Sequence, residues 1–221
     1  MKLSHRLACI DQLITHSYQD IWDCCCDHGM LGAHLVQRKA AERVHFVDCV
    51  PKITQQLEIK LAKHLPYSAN SNTSSWRVYC MDSAEISLED TAKQLVIIAG
   101  VGGELCISIL KKFFAHNVGK RFELILCPVH HQYELREFLS QQKLGLLSEH
   151  LVLENKRYYE VLHLSTEVSQ AISLTGSQMW QANNPEHQQY LDKTIAHYQR
   201  ISVSHAHPAL LAYQTLLNEW Q

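Results

Sequence analysis

Two carboxylates flank the end of the first predicted strand, where the chain turns sharply into a helix. Asp23 and Asp27 belong to residues 21–32, which read Ile-Trp-Asp-Cys-Cys-Cys-Asp-His-Gly-Met-Leu-Gly. A strand that turns into a helix gathers backbone N–H groups at one point, which suits the polar part of a nucleotide-like ligand. Because carboxylates repel phosphate and attract cations, a sulfonium or amino group would fit this site better. The alternative is an ordinary turn in which Asp27 caps the helix, and this stretch alone favours neither interpretation.

A third carboxylate and a glycine-rich loop follow later strands. Asp48 ends the second predicted strand, about twenty residues after the Asp27 turn, and in a doubly wound sheet this spacing brings it beside that turn. There it could accept hydrogen bonds from ribose hydroxyls. Residues 94–99 form a continuous apolar strand that runs into Gly100-Val101-Gly102-Gly103. Glycines permit the close approach of a ligand or of a packed strand, and the carboxyl end of a strand favours the ligand.

Alternating strands and helices position these residues. The predicted strands cover residues 20–25, 43–48, 76–80, 94–99, 122–127, 146–153 and 158–164. A helix with Ser4 as its cap precedes them, and crossover helices lie between the first five, one at residues 29–39 and one beginning at Pro51. We therefore predict an α/β fold with a seven-stranded Rossmann-like sheet that is closed by an antiparallel hairpin.

The composition changes after residue 164. Pro185 and Pro208 each begin a predicted helix, and residues 202–207 turn the chain between them. We predict a helical hairpin from about Gly176, and thus two parts, residues 1–165 and residues 166–221. Another loop is predicted at residues 66–75.

Charge and cysteine content limit the possible functions. The net charge is −2, so an RNA-binding surface would have to be a local patch. The eight cysteines lack the spacing of a zinc ribbon or finger, and we expect no metal site. No apolar stretch resembles a signal core or a membrane span, which predicts a cytoplasmic protein with no membrane partner. A nicotinamide enzyme is disfavoured because no Gly-x-Gly-x-x-Gly follows the first strand.

Several motifs, taken together in order, resemble the bacterial tRNA (adenine-22-N1)-methyltransferase family. They are Leu3-Ser4-His5-Arg6-Leu7, the Asp23-to-Gly32 stretch, Met81-Asp82-Ser83-Ala84, Ile98-Ala99-Gly100-Val101-Gly102-Gly103, Leu126-Cys127-Pro128-Val129, Leu135-Arg136-Glu137-Phe138-Leu139 and Tyr159-Glu160. The resemblance covers roughly residues 3–164. It implies a Rossmann-like methyltransferase that uses S-adenosylmethionine and methylates adenine N1 in tRNA, with the C-terminal helices as an RNA-contacting extension.

The resemblance also implies roles for individual residues. The cofactor site would consist of Asp23, Cys25, Asp27, His28, Asp48, Cys49, Asp82, Ser83, Gly100, Val101 and Gly102. Asp48 would hold the ribose and Asp82 the adenine amino group, while the glycine-rich loop would line the methionine end. Asp27 would be the catalytic carboxylate. The substrate residues would be His130, Arg136 and Tyr159, although His130 and His131 could instead simply begin a helix.

Some positions depart from the family pattern. Cys25 replaces the glycine over which the cofactor packs, Met81 and Ser83 replace glycines beside Asp82, and Val129 replaces an asparagine. Residues 166–221 carry two basic and four acidic side chains. A degenerate binding module that has lost turnover is therefore an alternative, and so is a methyltransferase that acts on another substrate. Another interpretation is a metal-binding or redox protein that uses the cysteine triplet and His28.

Overall fold

Seven strands form one sheet in the described part of the chain. The computed structural model describes residues 3–66, 75–90, 93–202 and 207–220. The strands are β1 (Tyr18–Cys24), β2 (Ala41–Asp48), β3 (Ser75–Cys80), β4 (Gln94–Ala99), β5 (Glu123–Cys127), β6 (Gly145–Glu154) and β7 (Arg157–Ser165). Their order is β3-β2-β1-β4-β5-β7-β6. Strands β1 to β5 are parallel, and β7 is antiparallel to both neighbours. The predicted Rossmann-like sheet with its closing hairpin is confirmed.

Helices cover both faces of this sheet. They are α1 (His5–Leu13), α2 (Met30–Gln37), α3 (Pro51–His64), α4 (Gly103–His116), α5 (Gln132–Ser140), α6 (Pro185–Ile201) and α7 (Pro208–Trp220), with a short 3-10 helix at Ser83–Glu85. Apolar side chains of α1, α2 and α3 pack on one face, and those of α4 and α5 on the other. Ser4 caps α1 as predicted, accepting a bond from the Leu7 amide at 3.5 Å. No helix in the described part of the chain is long and apolar enough to cross a membrane.

The element boundaries differ slightly from the prediction. The first strand begins at Tyr18 and ends before Cys25, because Cys25 has a φ of 55° and leaves the extended conformation. The other strands differ by two residues or fewer at each end. Residues 67–74 and 203–206, which make up most of the two predicted loops, lie outside the described residues.

The C-terminal helices pair with each other but begin later than predicted. The predicted hairpin from about Gly176 is wrong in its boundary, because residues 166–184 contain no helix or strand and α6 begins at Pro185. The side chains of α6 and α7 form a third apolar cluster, and Tyr133 of α5 joins it. The two helices therefore pack against the α5 side of the sheet domain.

Candidate active site

The turn after β1 is built from residues with positive φ. Cys25, Asp27 and Gly29 have φ values of 55°, 47° and 64°. Gly29 is the N-cap residue of α2 and has no side chain to cap it, and the carboxylate that accepts an amide of the first turn, that of Gly32, belongs to Asp23 and not to Asp27. The interpretation of Asp27 as a helix cap is therefore wrong. The Asp27 side chain is 65% exposed, and its Oδ1 lies 3.8 Å from Nδ1 of His28.

Asp48 holds this turn from the neighbouring strand. Its Oδ2 accepts a hydrogen bond from the Asp27 amide at 3.2 Å, and its Oδ1 accepts one from the Val50 amide at 3.0 Å. The prediction that Asp48 lies beside the first turn is confirmed. Since β1 and β2 are adjacent and parallel, both acids are brought to the same edge of the sheet.

A cavity of about 460 Å³ opens at this edge, between the carboxyl ends of β1, β2 and β3 and helix α4. Seven of the predicted cofactor residues line it, namely Cys25, Asp27, Asp48, Cys49, Asp82, Ser83 and Val101. Apolar side chains of Val50, Ile53, Met81, Leu105 and Ile109 supply other parts of the wall. The cavity thus combines carboxylates with apolar surfaces, and its volume falls within the range of small-ligand sites.

Asp82 is fixed at the far side of the cavity. Its Oδ1 accepts a bond from the Ala84 amide at 2.9 Å, at the start of the 3-10 helix. Its Oδ2 lies 3.9 Å from Nζ of Lys112 on α4. Lys112 lines the same cavity and was not predicted, because a lysine on an exposed helix face has no local sequence signal.

Asp23 lies beneath the turn and does not line the cavity. Its side chain is 5% exposed, and Oδ2 accepts the Gly32 amide at 2.9 Å. Burial raises the pKa of Asp23 to about 7, although the Gly32 bond acts in the opposite direction. A Cβ on Gly32 would come within 2.8 Å of this carboxylate. Asp23 therefore anchors the first turns of α2 under the site.

The cysteine triplet is mainly structural. Cys24 is buried in the core, while Cys25 and Cys26 are half-buried against it. Burial raises the pKa of the Cys25 thiol to about 11, so the thiol form dominates at neutral pH. Among the described residues, no three His, Cys, Asp or Glu side chains are grouped so that they could hold a metal ion. The metal-site interpretation of the triplet finds no support there.

The glycine-rich loop after β4 packs against the loop after β5. A Cβ on Gly102 would lie 2.2 Å from Cε1 of His130, and one on Gly103 would lie 2.3 Å from the His131 carbonyl oxygen. The Gly103 amide donates to the His130 carbonyl at 2.9 Å. These two glycines therefore serve close packing of loops, whereas Gly100 has a φ of 85° and a Cβ there would meet only Nη1 of Arg6, at 3.8 Å.

The predicted substrate residues fall in three different environments. His130 is exposed beside Gly102, and His131 is the N-cap residue of α5 with a φ of 60°. Tyr159 is half-buried, with the Arg6 guanidinium 4.9 Å from its ring centre. Neither Gly100, Gly102, His28 nor these residues line the cavity itself.

The prediction that Arg136 contacts the substrate is wrong. Its side chain is 0% exposed and forms ion pairs with Glu160 at 2.6 Å and Glu149 at 2.7 Å. A guanidinium that is enclosed by two carboxylates in the core cannot reach an external ligand. The motif that suggested a binding role instead marks a structural ion pair.

Exposed cations occur at the β6–β7 turn and along α6. Lys156, Arg157, Lys193 and Arg200, which we name the basic ridge, are all exposed. Lys193 sits 5.2 Å from the ring centre of Tyr158. Because β7 is antiparallel to β5, the β6–β7 turn lies at the edge of the sheet where β5 ends. Lys193 and Arg200 lie on a segment that is acidic overall, and the turn that carries Lys156 and Arg157 is on the same edge of the sheet as the candidate site.

A second cavity, of about 640 Å³, lies at the opposite edge of the sheet. Phe114, Phe122, Lys143 and Thr166 are among its lining residues, and none of the predicted site residues lines it. Its position at the amino end of β5 separates it from the carboxylates described above.

Comparisons with known proteins agree with this geometry. The family model described as "Methyltransferase domain" matches residues 3–162. None of the curated protein sequences matches significantly. The TrmK structure from M. capricolum with S-adenosyl-homocysteine is 20% identical, with a TM-score of 0.76 and coverage of 100% of this chain and 96% of that one. The B. subtilis m1A22 tRNA methyltransferase TrmK is 23% identical, with a TM-score of 0.70 and coverage of 99% and 96%.

A more distant structure matches only part of the chain. Magnesium protoporphyrin IX methyltransferase from Synechocystis, with bound SAM, is 17% identical, with a TM-score of 0.55. That match covers 73% of this chain and 79% of the other one. At these identities the structural matches establish the fold, and the two TrmK structures share it over nearly the whole chain.

Proposed function

The chain belongs to the methyltransferase domain family, and we propose that it transfers the methyl group of S-adenosylmethionine to N1 of an adenine in tRNA. The observation that carries this proposal is the meeting of Asp27, Asp48 and Asp82 at one cavity at the carboxyl ends of β1, β2 and β3. The motif resemblance and the two TrmK structures support the tRNA substrate.

The residues around the cavity fit this cofactor. Carboxylates attract a sulfonium and accept bonds from hydroxyl and amino groups. We assign the ribose hydroxyls to Asp48 and the adenine amino group to Asp82, with Ile53 and Leu105 packing on the ring. Gly100, Val101 and Gly102 would adjoin the methionine end. When bound, the cofactor supplies an activated methyl group on sulfur.

Asp27 has the charge that the transfer needs. Adenine N1 carries a free lone pair, so no base has to remove a proton before attack. Transfer of the methyl group from the cofactor sulfur to N1 would leave the sulfur neutral and the base positively charged. The Asp27 carboxylate at the mouth of the cavity stabilises that charge electrostatically, and His28 lies beside it.

The two parts of the chain have different proposed roles. We propose that residues 1–165 bind the cofactor and that residues 166–221 contact the RNA. The basic ridge supports this division in part, since Lys193 and Arg200 come from α6, and Lys193 contacts Tyr158 beside the β6–β7 turn. Lysine and arginine neutralise phosphates and release their counterions, which drives RNA binding. His130 and Tyr159, beside the glycine-rich loop, are the proposed contacts to the target nucleotide.

A second candidate function is a binding module that keeps the fold without turnover. The positive φ of Cys25 favours it, because a Cβ and a sulfur here occupy a position suited to glycine and face the cavity. Such a module would bind the cofactor weakly or not at all.

Titration with S-adenosyl-homocysteine and transfer of a labelled methyl group together test the proposal. We expect saturable binding by calorimetry, and label that passes from S-adenosylmethionine into total tRNA. The same reaction with the protein omitted is the control. Binding without transfer to any RNA would favour another substrate, and the absence of binding would favour the degenerate module.

A further inference from the structure

The Arg6 side chain holds a positive charge near the glycine-rich loop, and the Glu154 carboxylate interacts with that charge electrostatically without a direct ion pair among the described residues. Its Nε is buried and has no hydrogen-bond partner, and no ion pair of its guanidinium occurs among the described residues. A buried donor that lacks a partner costs free energy, and a charged one costs more than a neutral one. The chain thus satisfies the Arg6 guanidinium only in part, through the Cys127 thiol and the Glu154 charge, and a further acceptor would stabilise it.

The position of Arg6 is fixed from three sides. Its backbone amide donates to Oε2 of Glu154 at 2.8 Å, which ties α1 to the end of β6. Its guanidinium lies 4.9 Å from the ring centre of Tyr159, within the range of a cation–π contact. The guanidinium also lies close to Cys127, where it opposes the burial that raises the pKa of this thiol to about 12. A long side chain held in this way loses little further entropy when it binds a ligand.

The open side of the guanidinium faces Gly100. A Cβ built on Gly100 would lie 3.8 Å from Nη1 of Arg6, and no other atom would be within 4 Å of it. Gly100 follows β4 directly and begins the loop that we assign to the methionine end of the cofactor. Nη1 of Arg6 therefore lies beside the loop that we assign to the methionine end of the cofactor.

The charges around the site complement one another. Asp27, Asp48 and Asp82 suit the cationic and hydroxyl parts of the ligands, but they would repel any anionic part. Lys112, a cation that lines the cavity, lies beside Asp82. Arginine presents a planar fork of donors that matches carboxylate and phosphate oxygens.

We propose that Arg6 binds an oxyanion at the Gly100 edge of the site. Resting on the function proposed above, the oxyanion is either the carboxylate of the methionine part of the cofactor or a phosphate of the bound RNA. Arg6 is then a ligand-binding residue. The Tyr159 ring, whose centre lies 4.9 Å from the guanidinium, orients it through a cation–π contact.

Binding measurements on Arg6→Gln distinguish the two sources. The ligands are S-adenosyl-homocysteine, 5′-methylthioadenosine, which lacks the amino-acid part, and tRNA. If the oxyanion is the carboxylate, the variant binds S-adenosyl-homocysteine about tenfold more weakly or worse and binds methylthioadenosine normally. If it is a phosphate, both small ligands bind normally, while tRNA binds more weakly and its salt slope falls by about one. Arg77→Gln, an exposed arginine on β3, is the matched control and should change none of these affinities.

Other results would overturn the inference. One is an unchanged affinity of Arg6→Gln for all three ligands. The other is an equal loss of affinity for methylthioadenosine and S-adenosyl-homocysteine, which would indicate that Arg6 has a structural role. If Arg6→Gln does not fold, Arg6→Lys takes its place, because it keeps the charge but loses the fork and should show a smaller loss in the same ligand. A wild-type protein that does not bind S-adenosyl-homocysteine would overturn the proposed function, and the inference with it. Normal wild-type binding without any Arg6 effect would overturn the inference alone.

Discussion

Asp27 carries the negative charge that the proposed reaction needs at the mouth of the cavity. Its side chain is mostly exposed and does not cap α2, so its charge can change without loss of a helix cap. Its φ of 47° is one that asparagine adopts readily. A substitution that removes only the charge can therefore test its role.

We expect Asp27→Asn to keep its cofactor affinity and to lose most of its methyl transfer. Asparagine has the same size and tolerates the backbone conformation, but it cannot offset the positive charge that forms on the base. Loss of one preorganised electrostatic partner lowers a rate on the order of a hundredfold or more. Single-turnover kinetics beside cofactor titration measure both quantities. Equal transfer rates in the variant and the wild type would remove Asp27 from the chemistry.

Asp23 makes the stability of the protein depend on pH. Its pKa is about 7 in the folded chain, because burial disfavours the charged form, and near 4 when unfolded. The folded state thus binds the proton more tightly, so the free energy of unfolding decreases as the pH rises from about 4 to about 7. Below about pH 4 the Asp23 carboxyl is protonated in both the folded and the unfolded chain, so it no longer changes the free energy of unfolding.

We expect Asp23→Asn to remove this decrease in the free energy of unfolding with rising pH. Asparagine keeps an oxygen that can accept the Gly32 amide, but it never ionises. Its stability advantage over the wild type should be smallest near pH 4 and should grow to a few kcal/mol above pH 7. Urea unfolding of both proteins from pH 4.5 to 8 measures the difference in their free energies of unfolding. The histidines titrate alike in both proteins, so their contribution cancels in this difference. A difference that does not vary with pH would contradict the raised pKa.

At the scale of elements, a buried ion pair network joins the sheet to the C-terminal segment. Arg136 of α5 binds Glu149 of β6 and Glu160 of β7, and its Nη1 donates to the Ser173 carbonyl at 3.0 Å. Glu160 also accepts the Tyr190 hydroxyl of α6 at 2.5 Å. The network therefore holds residues before and within α6 against the closing hairpin.

We expect Arg136→Met to destabilise the fold strongly. The change leaves two carboxylates buried without their cation, which typically costs about 3–5 kcal/mol. Arg121→Met is the control, because its exposed pair with Glu167 at 3.5 Å contributes little. Urea unfolding at neutral pH measures both, and equal losses in the two variants would show that the buried network is not an important stabiliser.

Hydrophobic patterning predicted the elements well but the roles of buried polar residues poorly. The apolar run of β4 and the prolines that begin α3, α6 and α7 are local signals, and they marked these elements correctly. Arg136 was misassigned because its partners lie 13 and 24 residues away, on two strands that only the folded sheet brings together. The chain between residue 166 and α6 has no hydrophobic period of its own, so the start of the helical hairpin was predicted too early.

The candidate site was predicted in part for the same reason. Asp48 and Asp82 follow strands, and parallel strands bring their carboxyl ends to one edge, so their meeting with Asp27 could be foreseen. The burial of Asp23 could not, because it depends on the packing of Gly32 and Phe46. Arg6 belongs to the Leu3-to-Leu7 motif, but the sequence alone assigned it no site role, because its approach to Gly100 requires the fold.

At the scale of the whole molecule, the sheet order brings the proposed catalytic and RNA-binding features to one edge. The cavity opens at the carboxyl ends of β1 to β3, and the β6–β7 turn, which carries Lys156 and Arg157 of the basic ridge, lies beyond the end of β5. Arg6 and the glycine-rich loop lie between them. A bound RNA that follows the ridge would therefore reach the glycine-rich loop and the cavity.

Nucleoside analysis of tRNA after reaction tests the central claim most directly. The wild-type protein is incubated with S-adenosylmethionine and unmodified tRNA, and the digested RNA is examined by mass spectrometry, with Asp27→Asn run in parallel. We predict that 1-methyladenosine forms with the wild type and forms on the order of a hundredfold more slowly with the variant. A wild-type protein that binds the cofactor but produces no methylated nucleoside, or one that methylates a different atom, would contradict the account.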